Sequence, residues 1–297
     1  MSRILNGTHR HREHALVSDS NLCRRLVQIL CEEILSSTVH LPVLRTLVNI
    51  ASGAGLYPFL FEISIEELLL TKNINLEKQT QAVIDAGALT VLTSSFLTIK
   101  NLTLRRDACL AVSNVAAGTY KQVNAVLTEP NLMKNVVALL WDSDMKVVKE
   151  ACWVLSNSTS LHDPGHIHII LQHDIISPLV HHLRNSSTPH EILNKILDTL
   201  VNILSVGDLS GADSSSESHN EYARMLAASG VVNALIETWN NMGVTENIKE
   251  KVRGLLERWF YDYLPRDEHS GEVGDDGIDI SSIEESVSRM SIMEGVD

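Results

Sequence analysis

The strongest constraint on the fold is a helical segment that recurs along the chain. Each copy is an apolar run with helical spacing, and each has an asparagine near its end. The last three asparagines have the spacing of a helical repeat of about 40–47 residues, and the first interval is longer. The pattern therefore predicts a repeat array. The copies span residues 41–53, 104–118, 147–160 and 192–205, with asparagines at Asn49, Asn114, Asn157 and Asn202.

Shorter apolar segments between these copies predict three helices in each repeat. They occupy residues 81–97, 131–141, 175–185 and 229–241. Gly87 and Gly230 lie within two of them and suit a sharp turn between a short first helix and the next. A three-helix unit cannot bury its apolar face alone, so its neighbours must stack on it. We expect an all-α, right-handed superhelical solenoid whose third helices line a concave groove.

The repeats suggest three regions. They are a short polar N-terminal tail at 1–14, a solenoid at 15–265 and an acidic C-terminal tail at 266–297, which we expect to be disordered. Residues 54–77 break the repeat register, and are either a real insertion or the product of a retained intron. Residues 207–219 are polar and rich in Gly and Ser, which predicts a loop. The solenoid has about five units, at 15–53, 78–118, 119–160, 161–206 and 220–264.

The charge of the chain indicates which partners to expect. The formal net charge is −13, and residues 267–297 contain ten acidic residues and one arginine. An acidic protein repels phosphate backbones and attracts Lys/Arg-rich partners, so nucleic acid is not an expected ligand. No apolar run reaches about 18 residues and the N-terminus lacks a secretory signal, so we expect no membrane partner and a cytosolic or nuclear location.

Several conspicuous side chains are expected to be structural. No catalytic or cofactor motif is present, so we expect neither an enzyme nor a bound metal. The histidines between residues 162 and 182 lack a complete ligand set and are expected on the solvated surface. Trp141, Trp239 and Trp259 are expected in the core. Four cysteines without CxxC spacing are expected as buried thiols in a reducing compartment, namely Cys23, Cys31, Cys109 and Cys152.

Taken in order, the recurring helices carry a specific set of motifs. They read LPVLRTLVNIASG, LRRDACLAVSNVAAG, VVKEACWVLSNSTS and ILNKILDTLVNIL, with QTQAVIDAGAL following the first. A further helix, KEKVRGLLERWF, lies at residues 249–260. In this combination they resemble the armadillo repeats in the C-terminal half of the importin α (karyopherin α) family. The resemblance runs from about residue 38 to 264, apart from 54–77.

The resemblance implies a peptide-binding groove. In the family, asparagines of the third helices clamp the backbone of an extended peptide. A tryptophan one turn earlier lies beside the stem of a lysine or arginine, and an acidic residue pairs with its charge. Trp153 and Asn157 match that pair, and Glu150 matches the acidic position. The other matching positions are Arg45 and Asn49 in the first unit, Asp107 and Asn114 in the second, and Asn202 in the fourth.

Two positions depart from the family pattern. Leu110 and Asp198 stand where an aromatic residue is found in the family. Leucine offers apolar contact but no π face, so we expect the Leu110 pocket to hold its cation weakly. The matching pockets correspond to the family's minor peptide-binding site. An alternative interpretation is that Asn114 and Asn157 cap a neighbouring carbonyl inside the solenoid.

The resemblance also implies partners. We expect an adaptor that binds basic nuclear localisation signals for import, found in both cytoplasm and nucleus. Importin β is not expected as a partner, because the family's basic N-terminal segment is not found in residues 1–14. The major-site repeats are also missing. One alternative is a structural scaffold that docks a recycling exportin and a nucleoporin through its last repeat and acidic tail. Another is a fragment of a longer importin α.

Overall fold

The described part of the chain is built from helices and turns. A computed structural model describes residues 20–32, 36–52, 77–210 and 220–263, and these ranges contain no β-strand. The predicted all-α class is therefore confirmed. The predicted tails at 1–14 and 266–297, and nearly all of the predicted insertion at 54–77, lie outside the described residues.

Two compact units divide the chain, at residues 1–173 and 174–297. The second unit ends with a 3₁₀ turn, Tyr261–Tyr263. In the first unit, the helices are α1 (Ser20–Leu30), α2 (Ser37–Ser52), α3 (77–85), α4 (Ala88–Val91), α5 (Leu102–Ala116), α6 (Tyr120–Thr128), α7 (Leu132–Leu139), α8 (Met145–Thr159) and α9 (Pro164–Leu171). In the second unit they are α10 (Ile176–Arg184), α11 (His190–Ser210), α12 (Glu221–Ala228), α13 (Val231–Asn240) and α14 (Glu246–Trp259).

Polar caps set where the long third helices begin. The Asn101 side chain, before α5, accepts hydrogen bonds from the backbone N–H groups of Thr103 and Leu104. The Asp144 side chain, before α8, accepts one from the N–H of Lys146. The first N–H groups of a helix have no partner inside it, so these caps favour one starting residue. These caps therefore favour Leu102 and Met145 as the first residues of α5 and α8.

Left-handed residues mark the predicted sharp turns. Gly87 precedes α4 with φ of 79°, and Gly230 precedes α13 with φ of 81°. Asn131 takes the equivalent place before α7, with φ of 63°. Glycine tolerates this region because it has no Cβ, and asparagine visits it more readily than most residues. The turns predicted at the two glycines are therefore confirmed.

Stacked third helices form the core of each unit. In the first unit α2 packs on α5 and α5 packs on α8, and in the second unit α11 packs on α14. Leu47, Val112 and Leu155 on the three stacked helices of the first unit have no exposed surface. Burying such a side chain contributes about 1.5–3 kcal/mol each. Because these helices stack, the sides of successive third helices that are not buried lie next to one another.

Four expectations about burial were wrong. Trp141 is 51% exposed, because it follows the end of α7 in the turn that leads to α8. Cys31 is exposed in the turn after α1, whereas the other three cysteines are buried. His166 and His182 are 1% and 2% exposed rather than solvated. His166 lies on the inner side of α9 and stacks on the Tyr120 ring at 4.5 Å between centroids.

The loop predicted at 207–219 also begins later than expected. Helix α11 continues to Ser210, so its last turn includes residues 207–210. The Asn220 amide donates hydrogen bonds to the Leu204 carbonyl at 2.7 Å and to Asp208 at 2.8 Å. These bonds hold the last turns of α11 against the start of α12. Residues 211–219 lie outside the described residues.

Candidate functional site

The predicted site residues of the first unit occupy matching places on three stacked helices. Positions i, i+3 and i+7 of a helix share one side, and the residues on α5 and α8 have this spacing. We call their combined surface the third-helix face. It comprises Arg45 and Asn49 on α2, Asp107, Leu110 and Asn114 on α5, and Glu150, Trp153 and Asn157 on α8.

A ladder of asparagine hydrogen bonds joins the three helices. Asn114 Nδ2 donates to the carbonyl oxygen of Val48 at 3.3 Å, and Asn157 Nδ2 donates to that of Ser113 at 2.9 Å. Val48 and Ser113 immediately precede Asn49 and Asn114. In both hydrogen bonds, the amide therefore donates to the residue that precedes the asparagine of the neighbouring helix. The capping role that the sequence left open is therefore present. An asparagine amide has two N–H groups and one carbonyl oxygen, so one rung uses only part of it.

Asp107 is held by two arginines of the protein itself. Its carboxylate accepts from Arg45 Nε at 2.8 Å, and from Arg106 Nε at 3.0 Å and Nη2 at 2.6 Å. The Asp107 side chain is 4% exposed, whereas the Arg45 side chain is 54% exposed. Two cations thus surround one anion, and the cluster carries a net charge of +1. The predicted pairing of Asp107 with a peptide lysine stays a prediction, and these arginines would compete with it.

Helix α8 combines an aromatic ring with a carboxylate. Trp153 is half-buried, and Glu150 is 6% exposed. Lys149 Nζ lies 3.4 Å from Glu150 Oε1. Burial raises the pKa of the Cys109 thiol well above its usual value, and the nearby Glu150 charge raises it further. The carboxylate therefore sits between a lysine at the surface and a neutral thiol inside, and Trp153 follows one turn later.

The second unit places Asn202 and Asp198 on α11. Asp198 accepts from Lys195 Nζ at 2.7 Å and from Lys251 Nζ at 2.8 Å. Burial acts to raise the pKa of Asp198, but the two lysines outweigh it, and the pKa is lowered overall. Asn202 is half-buried. Asp198 thus repeats, in a separate unit, the pattern of one acid between two cations seen at Asp107.

Sequence reasoning missed the cations that pair with these acids. Arg106 and Lys149 each stand one residue before an acidic position, and Lys195 stands three residues before one. The three-residue spacing of Lys195 and Asp198 is a usable signal, since residues three apart on a helix are neighbours, whereas adjacent residues do not face each other. Lys251 reaches Asp198 from α14, and no local pattern connects the two.

The described residues offer little support for other kinds of site. Nowhere among them do three or more His, Cys, Asp or Glu side chains group in a way that could hold a metal ion. None of the helices in the described ranges is both long enough and apolar enough to cross a membrane. Burial raises the pKa of Cys152 to about 12, so this thiol stays protonated near neutral pH.

Comparison with known sequences gives one partial match. No protein-family model matches the chain. The chain is similar to importin subunit alpha-1a of Oryza sativa subsp. japonica, with 30% identity over 111 residues. The match covers 37% of this chain and 16% of that relative, so it spans a small part of the relative's length.

Solved structures identify the class of fold. A designed armadillo repeat protein, YIII(Dq)4CqI, matches with a TM-score of 0.52 and 22% identity over 79% of this chain and 98% of its own. A second designed armadillo repeat protein, solved in complex with peptide (KR)4, matches with a TM-score of 0.53 and 23% identity over the same shares. ARO, an armadillo repeats only protein from Plasmodium falciparum, matches with a TM-score of 0.57 and 14% identity over 85% of this chain and 98% of its own. The chain has the all-α armadillo-repeat fold.

Proposed function

We propose that this protein binds an extended, Lys/Arg-rich peptide along the third-helix face and acts as an adaptor in nuclear import. One observation carries the proposal. Trp153 and Asn157 share one side of α8, and the asparagine ladder repeats the Asn157 position at Asn114. A regular row of amides beside an aromatic ring suits a ligand with a repeating backbone and a cationic side chain.

The chemistry of each group fits one part of such a ligand. An extended peptide presents N–H and C=O groups every 3.3 Å or so along its length, and asparagine amides both donate and accept. Asn114 and Asn157 each use one side-chain N–H group in the hydrogen bonds between the helices. The second N–H group and the carbonyl oxygen of each amide can bind the peptide. The Trp153 face would stack on an aliphatic stem, with Glu150 near the charged head.

The nuclear role rests on the partial similarity to an importin α subunit. Signal-bearing proteins with exposed basic segments would then be the partners, and the protein would work in both cytoplasm and nucleus. Peptide (KR)4, bound by a designed armadillo repeat protein, is a suitable first probe because it alternates two cationic side chains. The acidic net charge of −13 favours such a ligand at long range.

The test is a titration of fluorescent (KR)4 with the full chain, followed by fluorescence anisotropy. Trp153→Ala should weaken binding by about 3- to 30-fold, the range expected from losing one cation–π contact. Trp141→Ala is the matched control, since Trp141 is 51% exposed but lies outside the third-helix face. The proposal fails if the full chain does not bind (KR)4, or if Trp153→Ala binds it as well as the unaltered protein.

Asn157 needs a separate control because it also holds the structure together. Asn157→Ala removes the hydrogen bond to the Ser113 carbonyl, which is worth about 0.5–1.5 kcal/mol. Its thermal unfolding should therefore be measured beside its affinity for (KR)4. If the variant unfolds at a lower temperature but is still folded at the titration temperature, its affinity for (KR)4 measures the contribution of the contact between Asn157 and the peptide.

A scaffold is the second candidate function, and one observation favours it. Asp208 on α11 accepts from Trp259 Nε1 at 2.9 Å and from Arg258 Nη2 at 3.0 Å, which fixes the end of α14. Tyr261 and Tyr263 follow it and are 47% and 39% exposed. A recycling exportin or a nucleoporin would dock there. Binding of a purified recycling exportin without any affinity for (KR)4 would favour this candidate over the adaptor.

A further inference from the structure

We propose that Arg45 is a carboxylate-binding position of the third-helix face, so that the preferred ligand is an extended peptide of mixed charge. An acidic side chain of the peptide would meet Arg45, and a basic one would meet Trp153. The inference deepens the proposed function and rests on it. Arg45 would select the acidic residue of the ligand, and Trp153 would select the basic one.

Asp107 is already paired with cations of the protein itself. Its buried carboxylate already accepts three hydrogen bonds, from Arg45 Nε and from Arg106 Nε and Nη2. A lysine of a peptide would have to compete with these arginines for the acceptor positions of Asp107, at a cluster whose net charge is already +1. A ligand carboxylate would share Arg45 with Asp107 and would not have to displace any group. The local charge therefore favours an anion at this end of the face.

Arg45 is both held in place and exposed to a ligand. Its side chain is 54% exposed although its Nε donates to Asp107. Within the described ranges, its Nη1 and Nη2 groups donate to no acceptor. These two nitrogens form the end of the guanidinium fork, which binds a carboxylate through two parallel hydrogen bonds. The bond from Nε holds the fork at one orientation, so less side-chain entropy is lost on binding.

The stacking of the helices gives the spacing of the two charges along the peptide. Arg45 is on α2 and Trp153 is on α8, with α5 packed between them. Packed helices lie about 8–10 Å apart. The distance from α2 across α5 to α8 is therefore roughly 16–20 Å. An extended chain advances about 3.3 Å per residue. The acidic and basic residues of the ligand should therefore stand about five or six positions apart.

The test uses two peptides that differ at one position. Each peptide has one lysine, and either Glu or Gln stands six residues from that lysine in an otherwise neutral sequence. Both orders are synthesised, with the Glu or Gln before the lysine and after it. In one order the Glu peptide should bind about three- to tenfold more tightly than the Gln peptide, as expected for one charge-assisted pair. Arg45→Gln should abolish this preference. Arg224→Gln, which removes a 73% exposed arginine of the second unit, is the matched control and should leave it intact.

A reciprocal measurement separates recognition from simple damage to the fold. Arg45→Gln removes one cation from Asp107, so its affinity for (KR)4 should rise by about two- to fivefold while its affinity for the Glu peptide falls. A destabilised variant would lose affinity for both ligands. The inference is overturned if Glu and Gln peptides bind alike, or if their difference persists in Arg45→Gln. If Trp153→Ala leaves the binding of (KR)4 and of these peptides unchanged, the proposed function fails instead.

Discussion

At the scale of single residues, His166 shows how burial changes the chemistry of a side chain. Its ring is 1% exposed and stacks on Tyr120, and neither ring nitrogen has a hydrogen-bond partner among the described residues. Burial lowers the pKa of His166, and the charge of Asp163, 3.8 Å away, opposes this only in part. Burial in the folded protein therefore favours the neutral form of this imidazole.

We expect His166 to make the first unit less stable in mild acid. Its pKa is lower in the folded chain than the usual 6.5, so the unfolded chain binds the proton more readily. The free energy of unfolding should fall as the pH drops through about 6.5 and level off below the folded pKa. Urea unfolding at pH 7.5 and pH 5 measures the loss. His166→Phe keeps an aromatic ring on Tyr120 and should reduce this loss of stability.

His168 provides the control for that measurement. It is exposed on the same helix, so His168→Phe makes the same substitution without removing the buried imidazole. If His166→Phe unfolds with the same pH dependence as the unaltered protein, other groups are responsible, and the buried imidazole has no such role.

At the scale of helices, a left-handed residue before a second helix allows the chain to turn within one residue. Gly87 and Gly230 hold this place in two repeats, and Asn131 holds it in a third. The turn sets the angle between a short first helix and its successor. The second and third helices that follow depend on that angle for their packing.

Two glycine substitutions should have opposite effects on stability. Gly87 has φ of 79° with open space around it, so Gly87→Ala should cost about 1–2 kcal/mol through backbone strain alone. Gly254 lies inside α14, and a Cβ there would meet nothing within 4 Å. Gly254→Ala should therefore stabilise the protein by about 0.5–1 kcal/mol. Equilibrium denaturation of both variants checks this, and a stabilising Gly87→Ala would contradict the left-handed turn.

At the scale of the whole molecule, charge is distributed unevenly along the chain. Residues 267–297 hold ten acidic residues and one arginine, which is most of the net charge of −13. The third-helix face, by contrast, has its acids paired by its own cations at Asp107 and Glu150. For the proposed basic ligand, long-range attraction and selection by contact would therefore come from different parts of the sequence.

Removing residues 267–297 should slow the association of (KR)4 without abolishing its binding. Charge steers encounters at low ionic strength, and salt screens the effect over a length of about 10 Å at 0.1 M. Stopped-flow association rates at 20 mM and 300 mM salt should differ by less in the truncated chain than in the full one. Equal salt dependence in both chains would show that these residues do not steer the ligand.

Much of the architecture could be predicted from local sequence. The spacing of Asn114, Asn157 and Asn202 indicated the repeat, and the glycines at 87 and 230 indicated the turns. These signals are local because helical periodicity and left-handed φ values depend on residues near in sequence. The same reasoning placed Trp153 and Asn157 on one side of a single helix.

Only tertiary structure decided what each side chain meets. Trp141 and Cys31 are apolar yet exposed, because each follows a helix end where the chain leaves the stack. The bond from Arg45 to Asp107 joins residues 62 positions apart, and no helical pattern can indicate it. Periodicity assigns a residue to a side of its own helix. The neighbouring helix determines whether that side is buried, paired or available to a ligand.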